Sequence, residues 1–79
     1  MLTRLQRELP SLSRAEQRVG RWILDHPRKA AAATLADVAS ACGTSQPTVI
    51  RFCRRMGLAG FRELGRRLTE ALSSPAGYV

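Results

Sequence analysis

Between Thr34 and Arg55 the chain gathers short hydroxyls, an amide and three guanidinium groups, a set of directional hydrogen-bonding side chains. Gln46 can pair bidentately with adenine, and Ser45 and Thr48 carry short hydroxyls that serve several bases. Arg51 stands one helical turn further on and can address guanine or a flanking phosphate, because its planar fork matches both. Arg54 and Arg55 lie deeper and suit the phosphate backbone, where contacts position a protein without specifying a sequence. Thr34 and Pro47 complete the expected DNA-binding set, each at the start of a helix. Two residues have plainer roles open to them. Ile50 either packs against the last helix, the preferred reading, or touches a thymine methyl; Gln46 can equally be a solvent-facing helix-start residue.

This chemistry needs two short helices meeting at a tight turn. Leu35, Val38, Ala39 and Cys42 form an i, i+3, i+4, i+7 apolar stripe, the mark of a helix with one buried face. Gly43 follows, a residue that takes positive φ at a helix C-terminus without a Cβ penalty. Ser45 is placed to cap the next helix, and Pro47 falls in its first turn, where a missing N–H costs little. Val49, Phe52, Cys53 and Met56 then turn inward and leave Gln46, Thr48, Arg51, Arg54 and Arg55 outside. That is the pattern of a helix-turn-helix. Its second helix is expected to present its N-terminus outward, with unpaired N–H groups and a positive dipole end suited to phosphate.

The rest of the chain supplies the support. The sequence predicts an all-α, five-helix bundle containing a homeodomain-like helix-turn-helix, with no strands. A first helix runs from about Leu2 to Leu9 and stops before Pro10. A second starts after Ser13, where S-R-A-E forms a capping box, buries Ala15, Val19, Trp22 and Ile23, and stops at His26-Pro27. A basic, alanine-rich connector, RKAAAA, leads to Thr34, where T-L-A-D gives a weaker cap for the third helix. The fourth helix ends at Gly57. Gly60 opens the fifth, whose inward face is Phe61, Leu64, Leu68 and Leu72. Residues 1–73 form the domain, and 74–79 read as a tail or the start of a linker.

Length and composition exclude most other classes. At 79 residues there is room for one small core. Two cysteines allow at most one disulfide, both fall on inward faces, and together with one histidine they are too few for a metal site. No cofactor is expected. His26 is better placed as a helix-end residue than as a catalytic base, and no nucleophile shares a motif with it, so no enzyme is expected. No apolar run approaches the ~20 residues that cross a bilayer, and the charged N-terminus does not suit a signal peptide, so a soluble cytoplasmic protein is expected. The net charge is +7, and residues 51–67 carry six arginines against Glu63 alone. Such an arginine-only excess favours a polyanionic partner.

The runs L-S-R-A-E-Q-R-V-G-R-W-I-L-D-H-P and T-L-A-D-V-A-S-A-C-G-T-S-Q-P-T-V-I-R-F-C-R-R-M-G-L-A-G-F-R-E-L resemble the N-terminal DNA-binding domain of RpiR-type bacterial transcriptional regulators. The resemblance covers about Leu12 to Leu72 and is most specific from Thr48 to Leu64. It implies a recognition helix over Ser45 to Arg55, with Thr34 at the start of the supporting helix. It also implies a separate C-terminal sugar-isomerase-like (SIS) domain, absent from this chain, which senses phosphorylated sugars or related metabolites. A homodimer or higher homo-oligomer of the full-length protein is implied as well. Two residues depart from the family pattern: Thr44 stands where an apolar residue is usual, and Pro47 where alanine is commoner.

Two other classes compete. A basic helical protein-interaction or dimerisation module would use the same arginines on an acidic partner. RNA binding has less support, because single-stranded RNA is usually stacked on exposed aromatics and the few aromatics here fall on inward faces or in the tail.

Overall fold

The computed structural model describes residues 2–73, and every regular element among them is a helix. The expected tail at 74–79 lies outside the described residues. Six α-helices follow in order: α1 (Leu2–Glu8), α2 (Arg14–Asp25), α3 (Pro27–Ala32), α4 (Leu35–Cys42), α5 (Gln46–Arg55) and α6 (Phe61–Ser73). One turn of 3-10 helix, Leu9–Ser11, joins α1 to α2 and contains Pro10.

Helix α3 corrects the five-helix expectation. RKAAAA has the charge and lack of caps of a connector. Yet Pro27 presets φ at the first helical position, and the alanines that follow are the strongest helix formers. Six residues make a marginal helix on their own. Packing settles it: Ala30 is buried, Ala31 and Ala33 pack on the core, and α3 lies mainly against α6.

The predicted caps form. Ser13 Oγ accepts from the Glu16 N–H at 3.2 Å while the Ser13 N–H donates to Glu16 Oε1 at 3.0 Å. At α4 the weaker cap is a full box as well, Thr34 Oγ1 accepting from the Asp37 N–H at 3.1 Å and the Thr34 N–H donating to Asp37 Oδ2 at 3.4 Å. The start of α6 is held by Glu63, whose Oε1 accepts from the Ala59 N–H at 2.7 Å. That hydrogen bond is the main reason its carboxyl lies below the ordinary value of 4.5, with the charge of Arg67 adding to it.

The core collects Leu5, Val19, Ile23, Val38, Val49, Phe52, Cys53, Met56, Leu64 and Leu68, drawn from every helix except α3, which adds Ala30. Trp22, Ala15, Phe61 and Leu72 are only half-buried, at the rim of the faces assigned to them. Gly20, in the middle of α2, marks a close approach of three elements. A Cβ there would stand 2.6 Å from Leu9 Cδ1, 3.2 Å from Leu5 Cδ1 and 3.4 Å from Phe52 Cε1. Its bare backbone lets the N-terminal segment and α5 close on α2 from two sides.

Neither cysteine departs from the small-hydrophobe role. Both are free; Cys53 is buried and Cys42 half-buried. Burial pushes the Cys53 thiol up to about 11 and raises Cys42 as well, so neither is an activated thiolate at neutral pH.

Candidate nucleic-acid interface

The turn between α4 and α5 is built on Gly43, which adopts φ +67° in the left-handed region. Its N–H donates to Ser40 O at 3.2 Å, and the Thr44 N–H donates to Ala39 O at 2.9 Å, so carbonyls at the end of α4 are satisfied as the chain reverses. No atom lies within 4 Å of a Cβ built at Gly43, so the glycine serves conformation and not space. Thr44, one of the two family departures, buries its Oγ1 without a hydrogen-bond partner. A buried unpaired hydroxyl costs about 1–3 kcal/mol, and valine has nearly the same shape. Thr44→Val is expected to raise stability by about 1 kcal/mol, seen as a higher urea midpoint at unchanged m-value; a midpoint equal to or below wild type overturns this account of Thr44.

Ser45 caps α5, its Oγ accepting from the Thr48 N–H at 3.3 Å and lying 2.9 Å from Thr48 Oγ1. This revises the expectation of several open N–H groups at that end. Pro47 has none, Thr48 is capped, and the Val49 N–H bonds to Ser45 O, which leaves the N–H groups of Ser45 and Gln46 without a partner at this end among the described residues. The positive end of α5 is therefore a modest anion site, and the outward side chains must carry most of any recognition.

Those side chains are arranged in a line. At roughly 100° per residue, Pro47, Arg51 and Arg54 lie along the face opposite the buried Val49, Phe52 and Cys53, and all three are exposed. Gln46 is exposed at the first helical position, and Thr48 is half-buried beside the cap. Ile50 flanks the line, half-buried, and is not among the apolar residues that pack on the core. Half-buried beside the arginines, it keeps both a packing role and a methyl contact open.

The arginine-rich stretch is less free than its composition suggests. Arg66 and Arg67 each place an η nitrogen 3.5 Å from Glu63 Oε2. Arg55 lies on the flank of α5 that faces α2, with Nε 3.4 Å from Glu16 Oε1. Among the described residues from 51 to 67, the arginines without an acidic partner are Arg51, Arg54 and Arg62. Within that stretch the cations left without an acidic partner are thus two on the outward line of α5 and one on α6. Thr34, on α4, is exposed, but Asp37 shares its cap, and that carboxylate weakens the start of α4 as a phosphate site.

Glu16 is the residue that sequence reasoning missed at this interface. It was assigned a capping role only, yet it is almost wholly buried. The signal was present: Glu16, Val19, Gly20 and Ile23 share the i, i+3, i+4, i+7 stripe of α2, which places a carboxylate on the inward face.

A sequence profile for the helix-turn-helix domain of the rpiR family matches residues 1–75. Over all 79 residues the chain is 39% identical to the HTH-type transcriptional regulator HexR of Pseudomonas aeruginosa and 37% identical to HexR of Escherichia coli. It spans only 28% and 27% of those two proteins, about a quarter of their length. In three dimensions it is similar to the crystal structure of the N-terminal domain of the Bacillus subtilis regulator ybbH, with a TM-score of 0.90 and 32% identity over 95% of this chain and 92% of that one. A glycine-centred turn, a capped second helix with an outward arginine line, and a profile match over nearly the whole chain agree: the chain belongs to the rpiR family of helix-turn-helix domains.

Proposed function

We propose that this chain is the sequence-specific, double-stranded-DNA-binding domain of a metabolite-responsive bacterial transcriptional regulator. The observation that carries the reading is the outward line of Pro47, Arg51 and Arg54 on α5, a helix whose opposite face is locked into the core. A rigid helix with one apolar face buried and an arginine line outside fits the major groove, whose base edges arginine reads bidentately. Ser45, Gln46, Thr48 and Ile50 lie beside the base edges in this reading. Thr34, Arg54 and Arg55 meet the phosphates. The protein works as a binding module and not as an enzyme, in the cytoplasm. Among the described residues no helix is long and apolar enough to cross a membrane, and no group of histidine, cysteine and carboxylate side chains is gathered to hold a metal ion.

Its partners in this reading are duplex DNA and a second copy of the regulator. Two copies set their recognition helices about 34 Å apart, one turn of the duplex, on a roughly palindromic site. The effector, a phosphorylated sugar or a related metabolite, is bound by a C-terminal sugar-isomerase-like domain outside these 79 residues. The test is selection of binding sites from a random duplex library by the 79-residue chain at low and near-physiological salt. Enrichment of one motif, repeated with centres about 10 base pairs apart, is the expected result. Salt-sensitive binding that enriches no motif overturns sequence reading by this domain.

A further inference from the structure

We infer that Glu16 is a positioning residue for DNA binding: from beneath the recognition helix it orients the Arg55 guanidinium toward the phosphate backbone. The inference rests on the DNA-binding reading of α5 and extends it to a residue on another helix. Glu16 is 1% exposed, and its carboxylate has two jobs. Oε1 accepts the Ser13 N–H at 3.0 Å, closing the cap of α2, and the same oxygen lies 3.4 Å from Arg55 Nε. Oε2 is buried without a hydrogen-bond partner. Among the described residues Arg55 is the only cation paired with this carboxylate.

A buried carboxylate with half its lone pairs unmet is an expensive device for a cap alone. A glutamine at the same position completes a capping box equally well. What glutamine lacks is the charge, and the charge acts on Arg55. The pair is lopsided in the way such a role needs: the Glu16 side chain is enclosed, while the Arg55 side chain is 54% exposed. Contact through Nε holds the guanidinium by its inner edge and leaves the terminal nitrogens free to fork onto a phosphate. Arg55 lies in the last turn of α5, so fixing it also fixes the far end of the recognition helix against α2. Its position on the flank facing α2, off the Pro47–Arg51–Arg54 line, suits a backbone contact beside the groove and not one within it.

The experiment is a double-mutant cycle on the 79-residue chain with Glu16→Gln, Arg55→Met and the double variant. Affinity is measured against the duplex enriched by selection and against a random duplex, across a range of salt. Glu16→Gln keeps the cap and the Arg55 charge, so it should weaken both duplexes by roughly three- to tenfold at an unchanged salt slope. Arg55→Met should weaken both duplexes and lower the salt slope by about one. In the Arg55→Met background, Glu16→Gln should change affinity no further. A Glu16→Gln penalty that persists in that background overturns the inference and makes Glu16 a structural residue only. Glu16→Gln affinity equal to or above wild type overturns it too, because the carboxylate then only offsets a useful charge. Arg55→Lys guards against a poorly folded Glu16 variant: it keeps the charge and loses Nε, and should weaken binding at an unchanged slope, whereas wild-type affinity overturns the inference. Failure of the wild-type chain to bind any duplex overturns the DNA-binding reading itself, a result distinct from all of these.

Discussion

Phe52→Ala is expected to leave the domain largely unfolded at room temperature. Phe52 is fully buried on α5 and reaches across to α2, with Cε1 close to the backbone of Gly20. Removing a buried phenyl ring costs about 3–5 kcal/mol, because the lost transfer energy is joined by the cavity left behind. A single core in a chain of fewer than about 80 residues supplies roughly 3–5 kcal/mol in total. The two quantities match, so the variant retains little or no margin. Circular dichroism should show lost helicity and no cooperative thermal transition, and binding to every duplex should fall together. Phe52→Leu fills most of the space and should keep a cooperative transition at a lower midpoint. A Phe52→Ala variant that unfolds cooperatively within about 1.5 kcal/mol of wild type would mean that the flexible ends of Leu5 and Leu9 had collapsed into the space, and the account of the α2–α5 seam would be wrong.

The elements legible in the sequence were those marked by local chemistry. Ser13 with Glu16, Thr34 with Asp37, Gly43 at φ +67° and Ser45 before Pro47 all define boundaries within a few residues, and each boundary stands where its cap does. The inward stripe of α5 was legible for the same reason: Val49, Phe52, Cys53 and Met56 repeat at the helical period and all four are buried. What escaped depended on partners distant in the chain. Helix α3 has no side-chain cap and a polar start, and it is held by α6, which begins 29 residues after α3 ends. The need for Gly20 shows only when Leu5, Leu9 and Phe52 are seen converging on it. The arginine excess looked uniform along residues 51–67 because sequence spacing does not reveal that Glu16, three helices earlier, answers Arg55. Glu63 was counted as one acid among six arginines, yet it meets both Arg66 and Arg67. Charge composition therefore overstated the free basic surface of this stretch, where Arg51 and Arg54 on α5 and Arg62 on α6 are the arginines without an acidic partner.

Of these three, Arg51 is expected to show the largest functional effect. Arg51→Ala is expected to cost about 1–3 kcal/mol on the selected duplex, a loss of roughly fivefold to more than a hundredfold, with relaxed preference at one base position. Arg51 lies on the outermost line of α5, midway along the helix, exposed and without an acidic partner among the described residues. In the proposed complex its guanidinium would enter the groove with no acidic partner in the protein competing for its donors, the condition for a bidentate contact to guanine. Arg54 shares the line one turn nearer the C-terminus of α5, and recognition helices address bases chiefly from their N-terminal residues. Arg54→Ala should thus weaken selected and random duplexes alike and reduce the salt slope by about 0.9. Repeating site selection with each variant separates the two roles. A motif that loses one position with Arg51→Ala and keeps all positions with Arg54→Ala supports the assignment. Equal losses on selected and random DNA for both variants would make Arg51 and Arg54 a backbone clamp, and sequence reading would then fall to the other side chains at the start of α5, Ser45, Gln46, Pro47, Thr48 and Ile50.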